Sequence, residues 1–383
     1  MRGPALADRA AAQFRAWHGR EPDGVWHAPG RVNLIGEHTD YNFGWVLPFA
    51  LDRGVVVAAA RRAGDMLDIR SRQAGGRQVS LPLAGLAPGS VTGWAAYPAG
   101  VAWAMRAAGC PVGGASLVID SDLPQGAGLS SSAAIECAVA IALADLYGAA
   151  VPRAELARLA RRAENEMVGV PSGIMDQSAS LLCEAGHALL LDCRSGQTTQ
   201  VPFDPAAAGL ALLVVDTGAR HALTDGRYAV RRQECEQAAR ALGVPSLRDV
   251  TDPARTAAIG DPVLARRARH VVSDDCRVRA AADLLDAGDV AGLGPLLHAS
   301  HASLRDDFEI SWPQADVAAE EAERAGALGA RMVGGGFGGS VIALVPADSM
   351  AVRAAVLAGY ADRGWTPPAF LAAPPSAGAH RLL

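Results

Sequence analysis

Residues 30–42 read GRVNLIGEHTDYN, and no other stretch limits the possible folds so sharply. Val32, Leu34 and Ile35 lead into this block and the apolar run Trp45 to Leu51 leads out of it. Two strand-like segments must therefore bring a dense polar set to one place. Arg31, Asn33, Glu37, His38, Asp40 and Tyr41 fall within eleven residues. They supply charge-assisted donors and acceptors suited to a ligand covered in hydroxyls, such as a sugar. The plainer alternative is a polar turn between strands, since turns also collect Asn, Asp and Gly.

At 383 residues the chain exceeds one typical core, and half of it is hydrophobic, so two lobes are expected. The polar, proline-bearing stretch Gly196 to Gly209 reads as their connection, giving lobes at 1–205 and 206–383. A net charge of -5, with Arg interspersed among Asp and Glu, argues against a nucleic-acid partner. No stretch reaches the roughly 18 uninterrupted apolar residues of a membrane span, and the N-terminus lacks an apolar leader, so a cytoplasmic protein is expected. Six cysteines without Cys-x-x-Cys spacing read as reduced and structural. Oligomeric state is not legible, and a monomer is the favoured expectation.

All 35 basic residues are Arg; the chain contains no Lys. That closes off the P-loop and protein-kinase solutions to phosphate binding, each of which needs a lysine. ATP chemistry would have to rest on backbone amides, a helix terminus, a metal ion and Arg.

Residue patterning predicts a helix over Arg9–Trp17, strands over Val25–Ile35, Trp45–Arg61 and Leu67–Ser71, and a helix over Trp94–Ala108. A strand at Ala115–Asp120 precedes PQGAGLSSSAA, which starts at Pro124 and opens a helix over Ser131–Tyr147 with Gly148 as its stop. Pro152 opens a helix to Met167, and Ile174–Leu182 resumes it with Ser172 as N-cap. Strands follow at His187–Asp192 and Leu210–Asp216, then helices over Thr224–Leu242, Pro262–Ser273, Arg277–Ala287 and Val290–Asp306 and from Pro313. Met332–Val333 and Val341–Val345 flank a glycine turn, and the tail holds at most one short strand.

Three further motifs carry chemistry. Glycines in PQGAGLSSSAA would let backbone approach a phosphate while free amides at a helix N-terminus point at the anion; a serine-capped turn is the alternative. PSGIMDQ, from Pro171, sets Asp176 in an apolar helical turn, where it needs a partner unless it merely favours the helix dipole. GGGFGGS, from Gly334, reads equally as a phosphate nest or a tight strand-to-strand turn.

These motifs, with GRYAVRRQECE from Gly226 and SLRDDFEIS from Ser303, resemble in order those of the galactose-phosphorylating branch of the GHMP small-molecule kinases. The resemblance runs through nearly the whole chain. It implies an α+β, two-lobed fold, with a mixed sheet plus helices in the N-terminal lobe and an antiparallel sheet plus helices in the C-terminal lobe. It also implies transfer of the γ-phosphoryl group of ATP to the C1 hydroxyl of α-D-galactose, with Mg²⁺. By the same resemblance Asp176 is the base, and Arg31 would hold it ionised. Glu37, His38, Thr39, Asp40, Gly173 and Tyr228 would hold the sugar. Gly126, Ala127, Gly128, Leu129, Ser130, Ser131 and Ser132 would cradle the phosphates; independently of the resemblance, Ser71 or Trp94 is a candidate to contact the adenine. Ser132 and Glu164 would ligate Mg²⁺, and Gly335 and Gly336 would border the site. Ser172 stands where the family commonly has Cys. A related kinase for N-acetylgalactosamine or arabinose remains a rival, as does a non-catalytic galactose sensor. The sensor is disfavoured because the phosphate loop, Arg31 and Asp176 are all present.

Overall fold

The computed structural model describes residues 3–124, 126–219 and 226–383. Its largest element is a six-stranded mixed sheet in the order β13-β1-β3-β6-β4-β5: β1 is Gly24–Asn33, β3 Pro48–Arg61, β4 Met66–Ser71, β5 Val79–Pro82, β6 Ala115–Ser121 and β13 His380–Arg381. Only the β4/β6 pair is parallel. β3 reads as an apolar run because both its faces are covered. Val56, Ala58 and Ala60 pack under α1 (Gly3–His18), while Val55, Val57 and Ala59 face the main core. That core is filled by α2 (Ala96–Ala107), α3 (Ser131–Tyr147), α4 (Arg153–Arg162) and α5 (Met175–Leu182). α3 carries an unbroken buried run of alanine and aliphatic residues from Ala138 to Ala144, which suits a helix enclosed by β1, β3, α2 and α4. A three-stranded sheet of β2 (Trp45–Val46), β7 (His187–Asp192) and β8 (Thr198–Pro202) closes one side.

The rest of the chain builds an all-antiparallel sheet in the order β10-β11-β9-β12, from β9 (Leu210–Asp216), β10 (Gly329–Val333), β11 (Ser340–Pro346) and β12 (Ala369–Ala372). Its helices are α6 (Arg227–Ala241), α7 (Pro262–Asp286), α8 (Leu293–Asp306), α9 (Pro313–Arg324) and α10 (Met350–Ala361). Strand alternation divides this sheet between two cores. Leu213, Val215, Val341, Ala343 and Val345 pack with α9 and α10, whereas Leu212, Val214, Ile342 and Leu344 join the core that α3 occupies. The expected mixed sheet and antiparallel sheet, each with helices, are both present.

Several local expectations are corrected. The run from Trp45 is two strands broken at Leu47, where the amide of Leu47 reaches back to Ile35 at 3.1 Å. The stretch 196–209 contains β8, since Thr198, Thr199 and Val201 suit a strand. Pro262–Ser273 and Arg277–Ala287 are one helix: Asp274 and Asp275 mark tertiary partners, not a break. The amide of Trp45 donates to Asp275 at 2.7 Å, and Arg277 donates to Asp274 at 2.9 Å. α4 widens into a π-helical turn over Ala163–Val168 before ending at Gly169. Ser172 does not cap α5, because its hydroxyl donates to Glu164. The tail contributes β12, with β13 at its end, and α10 was not anticipated. The expected helix start at Thr224 lies outside the described residues. Among the described residues no helix is long and apolar enough to cross a membrane.

Candidate active site

Where the two sheets approach each other, residues from β1, the loop after it, α3, α5 and the glycine turn after β10 line a cavity of about 640 Å³. The loop of residues 34–44 is fixed by its own side chains. Gly36 has φ +99°, and a Cβ there would fall 2.8 Å from the Trp45 carbonyl, so only glycine fits. The Thr39 hydroxyl lies 2.8 and 2.7 Å from the Gly36 and Trp45 carbonyls, and Asn42 donates to the His38 carbonyl at 2.8 Å. The Gly334 amide donates to Glu37 Oε1 at 2.8 Å. Burial pushes Glu37 up from the usual carboxylate range, although Arg331 and then Arg31 pull the other way.

His38 adopts φ +63°. Its Nε2 lies 3.2 Å from the Gly335 carbonyl, which can only accept, so Nε2 carries the proton and Nδ1 accepts from Tyr41 Oη at 2.7 Å. Burial, with nearby His270, pushes His38 down to about 3, keeping the ring neutral. The Tyr228 ring packs on it at 5.0 Å. Asp40 accepts from the Tyr41 amide at 2.8 Å, and burial followed by repulsion from Asp176 pushes it up to about 6. Its carboxylate lies flat against Gly173, where a Cβ would sit 1.6 Å from Oδ2. Gly173 is thus required by close approach, since its φ is not positive.

At the other end of the cavity, the loop before α3 turns its carbonyls outward. The Ala127 carbonyl accepts from Ser340 Oγ at 2.7 Å, the Gly128 carbonyl from Arg31 Nη1 at 2.7 Å, and the Leu129 carbonyl from the Arg31 amide at 3.3 Å. Gly126 and Gly128 take φ +72° and +73°, and Ser130, the residue before α3, takes +56°. These carbonyls are tied back and Ser130 to Ser132 line the cavity, so the start of α3, whose first amides lack intrahelical partners, borders it, an arrangement that suits phosphate.

Between the two ends stands Asp176. Arg31 Nε donates to its Oδ1 at 2.8 Å, and the Ser130 hydroxyl donates to Oδ2. Arg31 is buried and forks, so one guanidinium joins Asp176 to the phosphate loop. Behind them, Gln177 Nε2 lies 3.0 Å from both Glu136 Oε2 and Glu164 Oε2, and Ser172 donates to Glu164 Oε2 at 2.5 Å. Burial, with repulsion from Glu164, raises Glu136 well above the usual carboxylate range.

Of the residues expected from sequence, Arg31, Glu37, His38, Asp40, Gly126 to Ser132, Glu164, Gly173, Asp176 and Tyr228 all line this cavity. Thr39 and Ser71 do not. Thr39 is committed to the loop's carbonyls, and Ser71 ends β4, where its carbonyl accepts the Gly76 amide at 2.8 Å. Gly336 is displaced too, lying against Ile310, so Gly334 and Gly335 line the cavity instead. Trp94 lines it, as does Tyr97, which was not anticipated. Also missed were Glu136, Gln177 and Arg331. Glu136 had a readable sign, a lone acid within the apolar run of α3.

Sheets, paired glycine loops and cavity together define a small-molecule kinase of the GHMP type. Residues 96–184 match the model of the GHMP kinase N-terminal domain, residues 281–362 that of the GHMP kinase C-terminal domain, and residues 12–61 the galactokinase galactose-binding signature. The chain is 51% identical to a galactokinase of Streptomyces coelicolor over the full length of both, and 51% identical to one of Mycobacterium tuberculosis over 87% of this chain and 93% of that one. It therefore belongs to the galactokinase family. Its fold is similar to Lactococcus lactis galactokinase complexed with galactose, with a TM-score of 0.92 and 34% identity over 98% of this chain and 99% of that one. Methanococcus jannaschii mevalonate kinase, at TM-score 0.65 and 18% identity over 94% and 98%, shares the fold alone.

Proposed function

We propose that this chain transfers the γ-phosphoryl group of ATP to the C1 hydroxyl of α-D-galactose, giving α-D-galactose 1-phosphate and ADP, as a step of galactose metabolism. The observation that carries the reading is the Arg31 fork, which links Asp176 Oδ1 to the Gly128 carbonyl of the phosphate loop. Arg31 sets a fixed cation where charge develops between acceptor and donor. Asp176 orients the sugar hydroxyl and takes its proton. Because a loose phosphoryl-transfer transition state needs little prior deprotonation, an ion-paired carboxylate suffices, with positioning and charge neutralisation supplying most of the rate. Glu37, His38, Asp40 and Tyr228 hold the sugar, and the Gly126 to Ser132 backbone holds the phosphates.

Among the described residues no three His, Cys, Asp or Glu cluster as a metal cage. Magnesium fits that pattern, since it keeps several waters and relies on substrate phosphates with one or two protein oxygens. Ser132 Oγ and the Glu164 carboxylate would hold it, and it would neutralise charge on the phosphates. We place the two lobes at 1–205 and 206–383, with β13 returning from the second to pair with β1 of the first, and the enzyme in the cytoplasm, where its six free thiols suit a reducing environment.

A coupled assay of ADP release across a sugar panel tests the reading. Galactose should be the preferred substrate, with glucose, which differs at C4, rejected by on the order of 10⁴-fold in kcat/KM. Better use of N-acetylgalactosamine or arabinose would overturn the assignment of substrate.

A further inference from the structure

Among the described residues, Arg331 is the only Arg in the set of largest fully buried side chains, and nothing in the reaction described above uses it. It sits mid-way along β10, on the face opposite Ala330 and Met332, which pack in the α9/α10 core. It therefore points towards the β1 side of the molecule. A strand position of this kind would ordinarily be aliphatic, and a hydrophobic replacement for a buried ion pair is often neutral or stabilising. A charge retained there calls for a task.

Its surroundings define one. Nη1 donates to the carbonyls of Asn33 and Leu34 at 3.3 and 3.0 Å, the two residues that lead from β1 into the sugar loop. Nη2 stands 3.3 Å from Glu37 Oε1, the oxygen that also accepts the Gly334 amide. This second contact is an ion pair by proximity without the alignment of a hydrogen bond, so Nη2 keeps donor capacity unfilled, as does Nε. Arg331 thus grips the loop's backbone at its root and acts by charge on one carboxylate at its tip.

We propose that Arg331 is a positioning residue of the sugar pocket: from β10 it holds Oε1 of Glu37 in place, so that the carboxylate is set for galactose before the sugar arrives. This rests on the reading that Glu37 contacts the sugar. It also gives the antiparallel sheet a direct part in sugar affinity, through a residue that does not line the cavity.

The test is a double-mutant cycle read by calorimetric galactose binding without nucleotide and by steady-state kinetics. Arg331→Lys keeps the charge but loses the planar fork, and should raise the dissociation constant and KM for galactose at least about 10-fold, with KM for ATP little changed. In a Glu37→Gln background the same substitution should add less than about 3-fold, because the carboxylate charge on which Arg331 acts is gone. An equal effect in both backgrounds would show that Arg331 only braces the backbone, and would overturn the proposal alone. Unchanged galactose binding in Glu37→Gln by itself would overturn the sugar-contact reading and the proposal with it. Should Arg331→Lys fail to fold, Glu37→Gln carries the test: unpairing a buried guanidinium should lower the melting temperature as well as galactose affinity. A Glu37→Gln protein as stable as its parent would refute the idea.

Discussion

The loop at 34–44 and the loop at 126–132 line opposite ends of one cavity, yet the first offers side chains and the second backbone. At the sugar end, Glu37, His38 and Asp40 are each locked by neighbours, and burial pushes both carboxylates upward and the imidazole downward. Those groups are desolvated before any ligand arrives, which is the cost of telling one hydroxyl pattern from another. At the phosphate end, amides at a helix terminus bind any phosphate, and the glycines Gly126 and Gly128 need only reach positive φ. On the proposed reading, selectivity is built from strained and buried side chains, and anchorage from geometry that almost any sequence with the right glycines can supply.

Asp176 stands at the junction of the two ends, so its loss should have the largest effect. Asp176→Ala should cut turnover by at least the roughly 10²-fold typical of losing a general base, while nucleotide binding measured by calorimetry persists. Near-normal kcat would remove Asp176 from the chemistry. Gly173→Ala should come next and act on the sugar end alone, because the added Cβ would sit 1.6 Å from Asp40 Oδ2 and must drive that carboxylate aside. We expect KM for galactose to rise by about 10-fold, with KM for ATP within about 2-fold of the parent. Equal shifts in both constants would mean that the two ends are not separable.

The same division marks what was legible in the sequence. Backbone chemistry is local, so the phosphate loop and the helix it opens could be read from consecutive residues, and α3 falls at Ser131–Tyr147 as patterning predicts. The sugar loop was legible as a polar block, but its supports were not. Arg331 lies 298 positions from Asn33, and nothing in GARMV distinguishes a buried charge from one on an exposed strand face. Gln177 follows Asp176 directly, yet its task of bridging Glu136 and Glu164 exists only once α3 and α5 pack together. The interval between Ser273 and Arg277 is helical for a similar reason, since Asp275 finds its partner in the Trp45 amide, 230 positions away, and Asp274 in Arg277. Ser71 is a different case: it lies at the end of β4, outside the cavity lining, and its carbonyl closes the following turn.

A smaller effect should come from the metal side of the phosphate end. Glu164→Gln replaces an anionic oxygen by a neutral amide, a poorer ligand for a hard cation, and should raise the Mg²⁺ concentration for half-maximal activity by several-fold, on the order of 3- to 10-fold. An unchanged Mg²⁺ titration would leave Glu164 as a partner of Ser172 and Gln177 only.

The smallest effect concerns stability and probes the cost assigned to the sugar end. Asp40 is pushed up to about 6 by burial and then by Asp176, well above the usual carboxylate range. Between about pH 4 and 6 the folded protein therefore holds a proton that the unfolded chain has released, and stability falls as pH rises through this window. Above it the native state bears the full penalty of a buried, crowded carboxylate; below it the penalty is gone. Asp40→Asn removes the charge, so the variant should melt about 1–3 °C above its parent at pH 8, with the difference closing towards pH 4. Asp275, also pushed up to about 6, is present in both proteins and cancels in the comparison. Saturating galactose should reverse the order at pH 8, because only the carboxylate makes full use of the sugar's hydroxyls. A pH-independent difference, or a variant less stable than its parent at pH 8 without sugar, would show that Asp40 carries no stored cost and that the two ends of the cavity are less unlike than their construction suggests.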